Sequence, residues 1–280
     1  MFHVRHRYVC LLMDIFHRRG VAANQEEFMG LKIKNRYWAF GLHFLLSVPF
    51  VLVVMYLVLG WWQPEPYLTA DGGWTILAVL LTVFIVIGPV LTFLMYKPGK
   101  WGLRFDLVVI ALLQVSSLCY GAYVFYTERP IFLVFAVDRF TLISMGDFER
   151  NDLKQAQWLD GAARGPLKVY AKMPENAQQR DALLKQVMAG KPDLEFRAEY
   201  YEAFDPNLNK VLKRSYDIAT AARVPATEQR KITAFNKEHC PRVEQCAYFP
   251  LIGKKRDMLL VLNREDGSVI GAIDVNPWSA

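Results

Sequence analysis

Between residues 38 and 126 the chain carries three nearly unbroken apolar runs, at 38–60, 74–96 and 105–126; beyond them short apolar segments alternate with Lys, Arg, Asp and Glu. Each run is roughly 22 residues long, which at about 1.5 Å per residue covers a hydrocarbon core on the order of 30 Å thick. The pattern therefore predicts three transmembrane α-helices. The first run, WAFGLHFLLSVPFVLVVMYLVLG, has no charged residue, and Trp38 at one end with Trp61 and Trp62 at the other suits the two headgroup levels. Trp74 and Tyr96 bracket the second run in the same way. The third has Asp106 near its edge and contains Gln114, Ser116 and Ser117, which predicts a face turned toward the other two helices rather than toward lipid.

Residues 129–280 change character. About 150 residues suffice for one independent domain with its own core, and none of its apolar runs reaches spanning length. Residues 131–137 and 140–144 read as two short strands broken by Asp138-Arg139, forming a hairpin. Helical spacing at 177–189 places Leu183, Leu184, Val187 and Met188 on one period, stopped by Gly190 and Pro192. Helices are also expected at 208–222 and 226–238. Strands follow at 248–252, 258–263 and 269–274, with Asp266-Gly267 as the turn between the last two. The expected fold is thus a membrane protein with three N-terminal transmembrane α-helices and a C-terminal α+β domain holding an antiparallel sheet. Its expected divisions are 1–37, 38–128 and 129–280.

Charge orients this layout, because Lys and Arg flanking a span are retained on the cytoplasmic side. Lys32, Lys34 and Arg36 precede the first span, and Lys97, Lys100 and Arg104 occupy the turn between the second and third. The connection WWQPEPYLTADGG has neither Lys nor Arg. The N-terminus and the second turn are therefore expected in the cytoplasm, and the C-terminal domain outside it. The net charge of +6 arises partly at the cytoplasmic end, where anionic lipid is the expected partner, and gives no argument for nucleic acid. Cys240 and Cys246 are expected to form a structural disulfide outside the cytoplasm. A metal or redox pair is the alternative, but the spacing is not Cys-x-x-Cys and only His239 adjoins. Residues 1–28 lack the apolar length and cleavage site of a signal peptide. Codons for Gln25-Glu26-Glu27 can contain a ribosome-binding sequence upstream of Met29, so a start at Met29 would leave 1–28 untranslated.

No Gly-x-Ser-x-Gly elbow, phosphate-cradling Gly-rich loop or recognisable carboxylate pair occurs, so no enzymatic activity is expected. Asp138 and Arg139 read as a turn with an ion pair of little energetic consequence. His43 lies within the first run; neither later run has a histidine to complete a haem site, so no cofactor is expected and an interhelical hydrogen bond is the favoured role. Gly88-Pro89 should free backbone carbonyls and kink the second span. Arg104 and Asp106, at the inner edge of the third, can pair with each other or meet headgroups.

Several of these residues carry a resemblance. The segments are AFGLH from Ala39 to His43, GGW from Gly72, Gly88-Pro89, LRFDL from Leu103, Ala111-Leu112-Leu113-Gln114, Tyr120-Gly121, VDRF from Val137, and the terminal Pro277-Trp278. In their order on a three-span layout the chain resembles the TfpX/TfpZ type of type IV pilin accessory protein from Arg36 onward; the first 28 residues depart from that pattern. The resemblance implies an inner-membrane protein of a Gram-negative bacterium, its C-terminal domain periplasmic. It further implies an accessory or chaperone role for a cognate type IV pilin, the major pilin subunit, with other pilus assembly proteins as further partners, and no enzymatic activity. Pilin contact is expected at the spans, with Gly41, Gly88 and Gly121 allowing close helix approach, and at the periplasmic domain. Two other classes stay open: a membrane-anchored periplasmic sensor or ligand-binding protein, and an envelope hydrolase built on Asp138, Glu195, Glu199 and Asp257.

Overall fold

A computed structural model describes residues 27–28, 31–32, 35–147, 165–216 and 225–278. Three helices are long and apolar enough to cross a membrane: α1 (Arg36–Trp62), α3 (Gly73–Met95) and α4 (Leu103–Thr127). Between α1 and α3 lies a short helix, α2 (Tyr67–Asp71), closed by Gly72 in the left-handed conformation at φ 75°. The last turns of α1, Val58–Trp62, and the middle of α3, Val83–Ile87, are π-helical. The second of these lies just ahead of Pro89, whose missing N–H cannot serve the carbonyl one turn earlier. Before α1, Glu27–Phe28 (β1) and Leu31–Lys32 (β2) form a two-residue antiparallel ladder. Of the N-terminal tail expected at 1–28, residues 1–26 lie outside the described residues.

The chain divides into two compact units, and the division falls within each long helix: Met1–Phe50 with Leu81–Ser117, and Val51–Leu80 with Leu118–Ala280. In the first, α1, α3 and α4 meet through aromatic packing, Tyr37 and Phe40 both standing edge-on to Phe93, and through the polar group described below.

The second unit is built on a seven-stranded sheet ordered β6-β5-β3-β4-β7-β8-β9. Its strands are β3 (Pro130–Ala136), β4 (Arg139–Ser144), β5 (Leu167–Ala171), β6 (Tyr201–Ala203), β7 (Cys246–Ile252), β8 (Met258–Asn263) and β9 (Val269–Ile273). The expected hairpin is β3–β4, with Ala136 opposite Arg139 across a two-residue turn. The expected terminal meander is β7–β8–β9. The sheet is mixed rather than antiparallel, which corrects the expected fold: β3 pairs parallel with β5, and β4 parallel with β7. Parallel pairs need long crossover connections and leave no turn signal beside either strand.

Burial explains why β3 is apolar at every position. Leu133 and Phe135 face one core, with Phe140, Leu142, Phe249 and Leu260, while Phe132, Val134 and Ala136 face another, with Ile143, Val169 and Leu183. A strand covered on both faces loses the polar alternation of a half-exposed one. Helix α6 (Phe204–Leu212) covers the first face through Phe204, Leu208 and Val211. Helix α5 (Ala177–Met188) covers the second with Leu183; its start is capped by the Asn176 side chain accepting from Gln178 N. A third core lies under α7 (Ala226–His239), joining Ile232 to Tyr248, Leu259 and Val261. The helix expected at 208–222 is α6, which starts four residues earlier and ends at Leu212; 217–224 lie outside the described residues.

Candidate functional site

In the first unit the apolar face of α1 carries one polar side chain that reaches both neighbouring helices. His43 Nδ1 is 2.6 Å from Thr92 Oγ1 on α3, and His43 Nε2 is 2.8 Å from Gln114 Oε1 on α4. A neutral imidazole with its proton on Nε2 satisfies both contacts: it donates to the Gln114 carbonyl oxygen and accepts from the Thr92 hydroxyl. Ser47 Oγ donates to the His43 carbonyl at 3.0 Å. Three polar groups that would otherwise lie in hydrocarbon thereby bind three helices together. Gly88 makes room for this group. A Cβ at that position would lie 2.0 Å from Gln114 Nε2.

The remaining predicted span residues have separate places. Gly41 faces open space, so its lack of a side chain serves no contact within the chain. Gly121, in the second unit, receives the methyls of Leu80. Asp106 pairs with Lys100 at 2.5 Å rather than with Arg104, which is exposed. Ser116 is exposed, while Gln114 is buried, so only part of the polar set on the third run turns inward.

On the sheet, Asp138 Oδ1 accepts from Arg139 Nε at 3.0 Å in the β3–β4 turn, whose first residue, Val137, has φ 58°. The Arg139 guanidinium stands over the Trp278 ring at 5.5 Å, and Trp278 Nε1 donates to Asp257 Oδ2 at 2.8 Å. The VDRF and Pro-Trp segments, 140 residues apart in the chain, are therefore neighbours. Of the carboxylates in the hydrolase reading, Glu199 lies against Arg197, while Asp138 and Asp257 are held by Arg139 and Trp278. Burial pushes the Glu195 carboxyl up. Cys240 and Cys246 are joined as a disulfide, buried at the junction of α7 with β7. Among the described residues no group of three or more His, Cys, Asp and Glu side chains could hold a metal ion.

Sequence reasoning missed a polar junction where the connection between α1 and α3 meets the sheet. Tyr67 and Ala70 of α2 lie in the same core as Phe135, Phe249 and Leu251. The Ala70 carbonyl accepts from Lys255 N at 3.1 Å and Arg256 N at 3.0 Å, and Asp71 Oδ1 accepts from Lys254 N at 3.0 Å. Gly253 is required there, because a Cβ would stand 2.5 Å from the Ala70 oxygen. The Lys254 ammonium lies 2.7 Å from Glu128, the residue after α4, and 3.1 Å from Asp147, which follows β4. Gln63, the residue after α1, donates through Nε2 to the Glu128 carbonyl. Burial pushes the Asp71 carboxyl up to about 6, against the opposing bond and charge of Lys254. For Lys254, burial opposes the charged form, but the Glu128 bond and the Asp147 charge outweigh it and the group is raised.

Two fimbrial assembly proteins of Dichelobacter nodosus, from serogroups I and E1, are each 25% identical to this chain over 244 residues, covering 85% of it and 94% of their own length. A third from the same organism, the fimbrial assembly protein of serogroups C1 and C2, is 32% identical over 118 residues, 41% of this chain and 90% of its own. No family model matches the chain. No solved structure matches it either.

Proposed function

Taking as premise that the chain belongs to the fimbrial assembly proteins, we propose that it is an inner-membrane accessory protein of the TfpX/TfpZ type that holds a type IV pilin before or during its entry into the pilus. The observation that carries this reading is the match to fimbrial assembly proteins along 94% of their length and 85% of this chain. A pilus subunit that waits in a membrane presents an apolar helix and a globular head. The chain offers an apolar helical surface for the one and an α/β surface for the other. The contact is transient, and a small polar interface suits it. No catalytic step belongs to this role.

The orientation proposed is N-terminus in the cytoplasm and sheet in the periplasm. Support comes from the basic residues Lys97 and Lys100 in the α3–α4 turn with Arg104 at the start of α4 and from the disulfide, which suits an oxidising compartment. In-cell photo-crosslinking tests the partner, using positions Tyr123 on α4 and Met188 on α5, both exposed. Crosslinks to the major pilin from both are expected. Capture of other envelope proteins with pilin absent would replace the pilin reading with that of a periplasmic sensor.

A further inference from the structure

We infer that Asp71 turns the junction between α2 and the β7–β8 connection into a proton-controlled clasp, tightest when its carboxyl is neutral and loosened when it ionises. The inference is independent of which partner the protein binds.

The clasp is made by backbone. Asp71 Oδ1 and the Ala70 carbonyl together accept three consecutive amides, those of Lys254, Lys255 and Arg256, and the close approach of Gly253 leaves no slack. Asp71 Oδ2 is buried and has no hydrogen-bond partner among the described residues. A carboxylate in that position must shed water from an oxygen that gains nothing in return, whereas a neutral carboxyl sheds far less.

Burial sets the direction, and the charges facing Asp71 adjust it, Lys254 working against the proton and Asp147 and Glu128 for it. From the β7–β8 connection come Lys254, whose ammonium is turned to Glu128 and Asp147; Lys255, whose stem covers Gly72; Arg256, which reaches Asp274; and Asp257, which is held by Trp278. From the end of α4 come Glu128 and Arg129, the latter bonded to the Tyr126 carbonyl, and from the turn after β4 comes Asp147. Glu65, on the same connection as Asp71, accepts from Thr69 and Trp74. One ammonium thus serves Glu128 and Asp147 directly, and Asp71 is the third carboxylate in its field. Burial outweighs the Lys254 bond and charge and favours a proton on Asp71.

With the closed-state carboxyl at about 6 and an exposed one at its ordinary 3.8, the clasp is fully stabilised below the lower value. It loses that stabilisation as pH rises through the window between them and changes no further above.

Hydrogen exchange on the full chain in lipid nanodiscs, read by mass spectrometry at residues 68–72 and 254–256 and corrected for intrinsic rates, tests the inference. Linkage predicts protection about tenfold lower at about pH 7.5 than at about pH 5. Asp71→Asn should show the high protection at both. Asp147→Asn, which removes a like charge, should move the transition to lower pH. Equal wild-type protection at the two pH values, or an Asp71→Asn protein that still responds to pH, overturns the clasp.

Discussion

At the scale of single residues, two glycines of the spans that look alike in sequence have different consequences. Gly88 lies against the Gln114 amide, and an added methyl would displace the oxygen that accepts from His43; at Gly41 the same methyl meets nothing. Gly88→Ala is therefore expected to lower stability by about 1–3 kcal/mol, as overpacking does, and Gly41→Ala to stay within about 0.5 kcal/mol of wild type. Unfolding of the two variants in detergent under identical conditions checks the contrast; equal losses would show that Gly88 is not the seat of the polar group. That His43 bonds between helices was legible from its isolation in an apolar run. Which residues receive it was not, since Thr92 is 49 positions away and Gln114 is 71.

Among the elements, α7 and β7 are joined by a covalent link as well as by packing. The Cys240–Cys246 bridge spans a sequence separation of 6 beside Ile232, Tyr248 and Ile273. Closing so short a loop restricts the unfolded chain modestly, and its loss is expected to cost about 2 kcal/mol on the chain-entropy model. Paired Cys240→Ser and Cys246→Ser substitutions should lower the melting temperature by a few degrees, with wild type in reductant falling to the same value; no change in either would remove the bridge from the account. Helices α5 and α7 were readable from their spacing and stop signals because both are local amphipathic patterns. Strand β5 was not, because LKVYA is short and pairs with β3 and β6, both distant in sequence.

For the whole molecule the main consequence is topological. Tyr67 and Ala70 enter the core of the sheet, so the α1–α3 connection and the C-terminal strands must occupy the same side of any membrane the long helices cross. An odd number of spans meets that requirement. The proposed orientation then predicts labelling by a membrane-impermeant maleimide in spheroplasts, in a background with Cys10 and Cys119 replaced by serine. Glu65→Cys and Met188→Cys should react in intact spheroplasts, and Lys97→Cys only after lysis. The opposite pattern would reverse the orientation, and different behaviour at positions 65 and 188 would contradict the shared side itself.

Three spans, the β3–β4 hairpin, the terminal meander and the disulfide were determined by sequence alone, because each depends on runs or spacings of a few to about twenty residues, over which local hydrophobicity and turn chemistry decide the outcome. The parallel pairings, the burial of α2 and the meeting of Asp71, Glu128, Asp147 and Lys254 were decided only in the tertiary structure. Taken singly, each of those four side chains reads as a solvated loop charge. The proton affinities of Asp71 and Lys254 are shifted by burial and by the charges around them, and neither influence exists until β4, β7, β8 and the helix ends have been brought together.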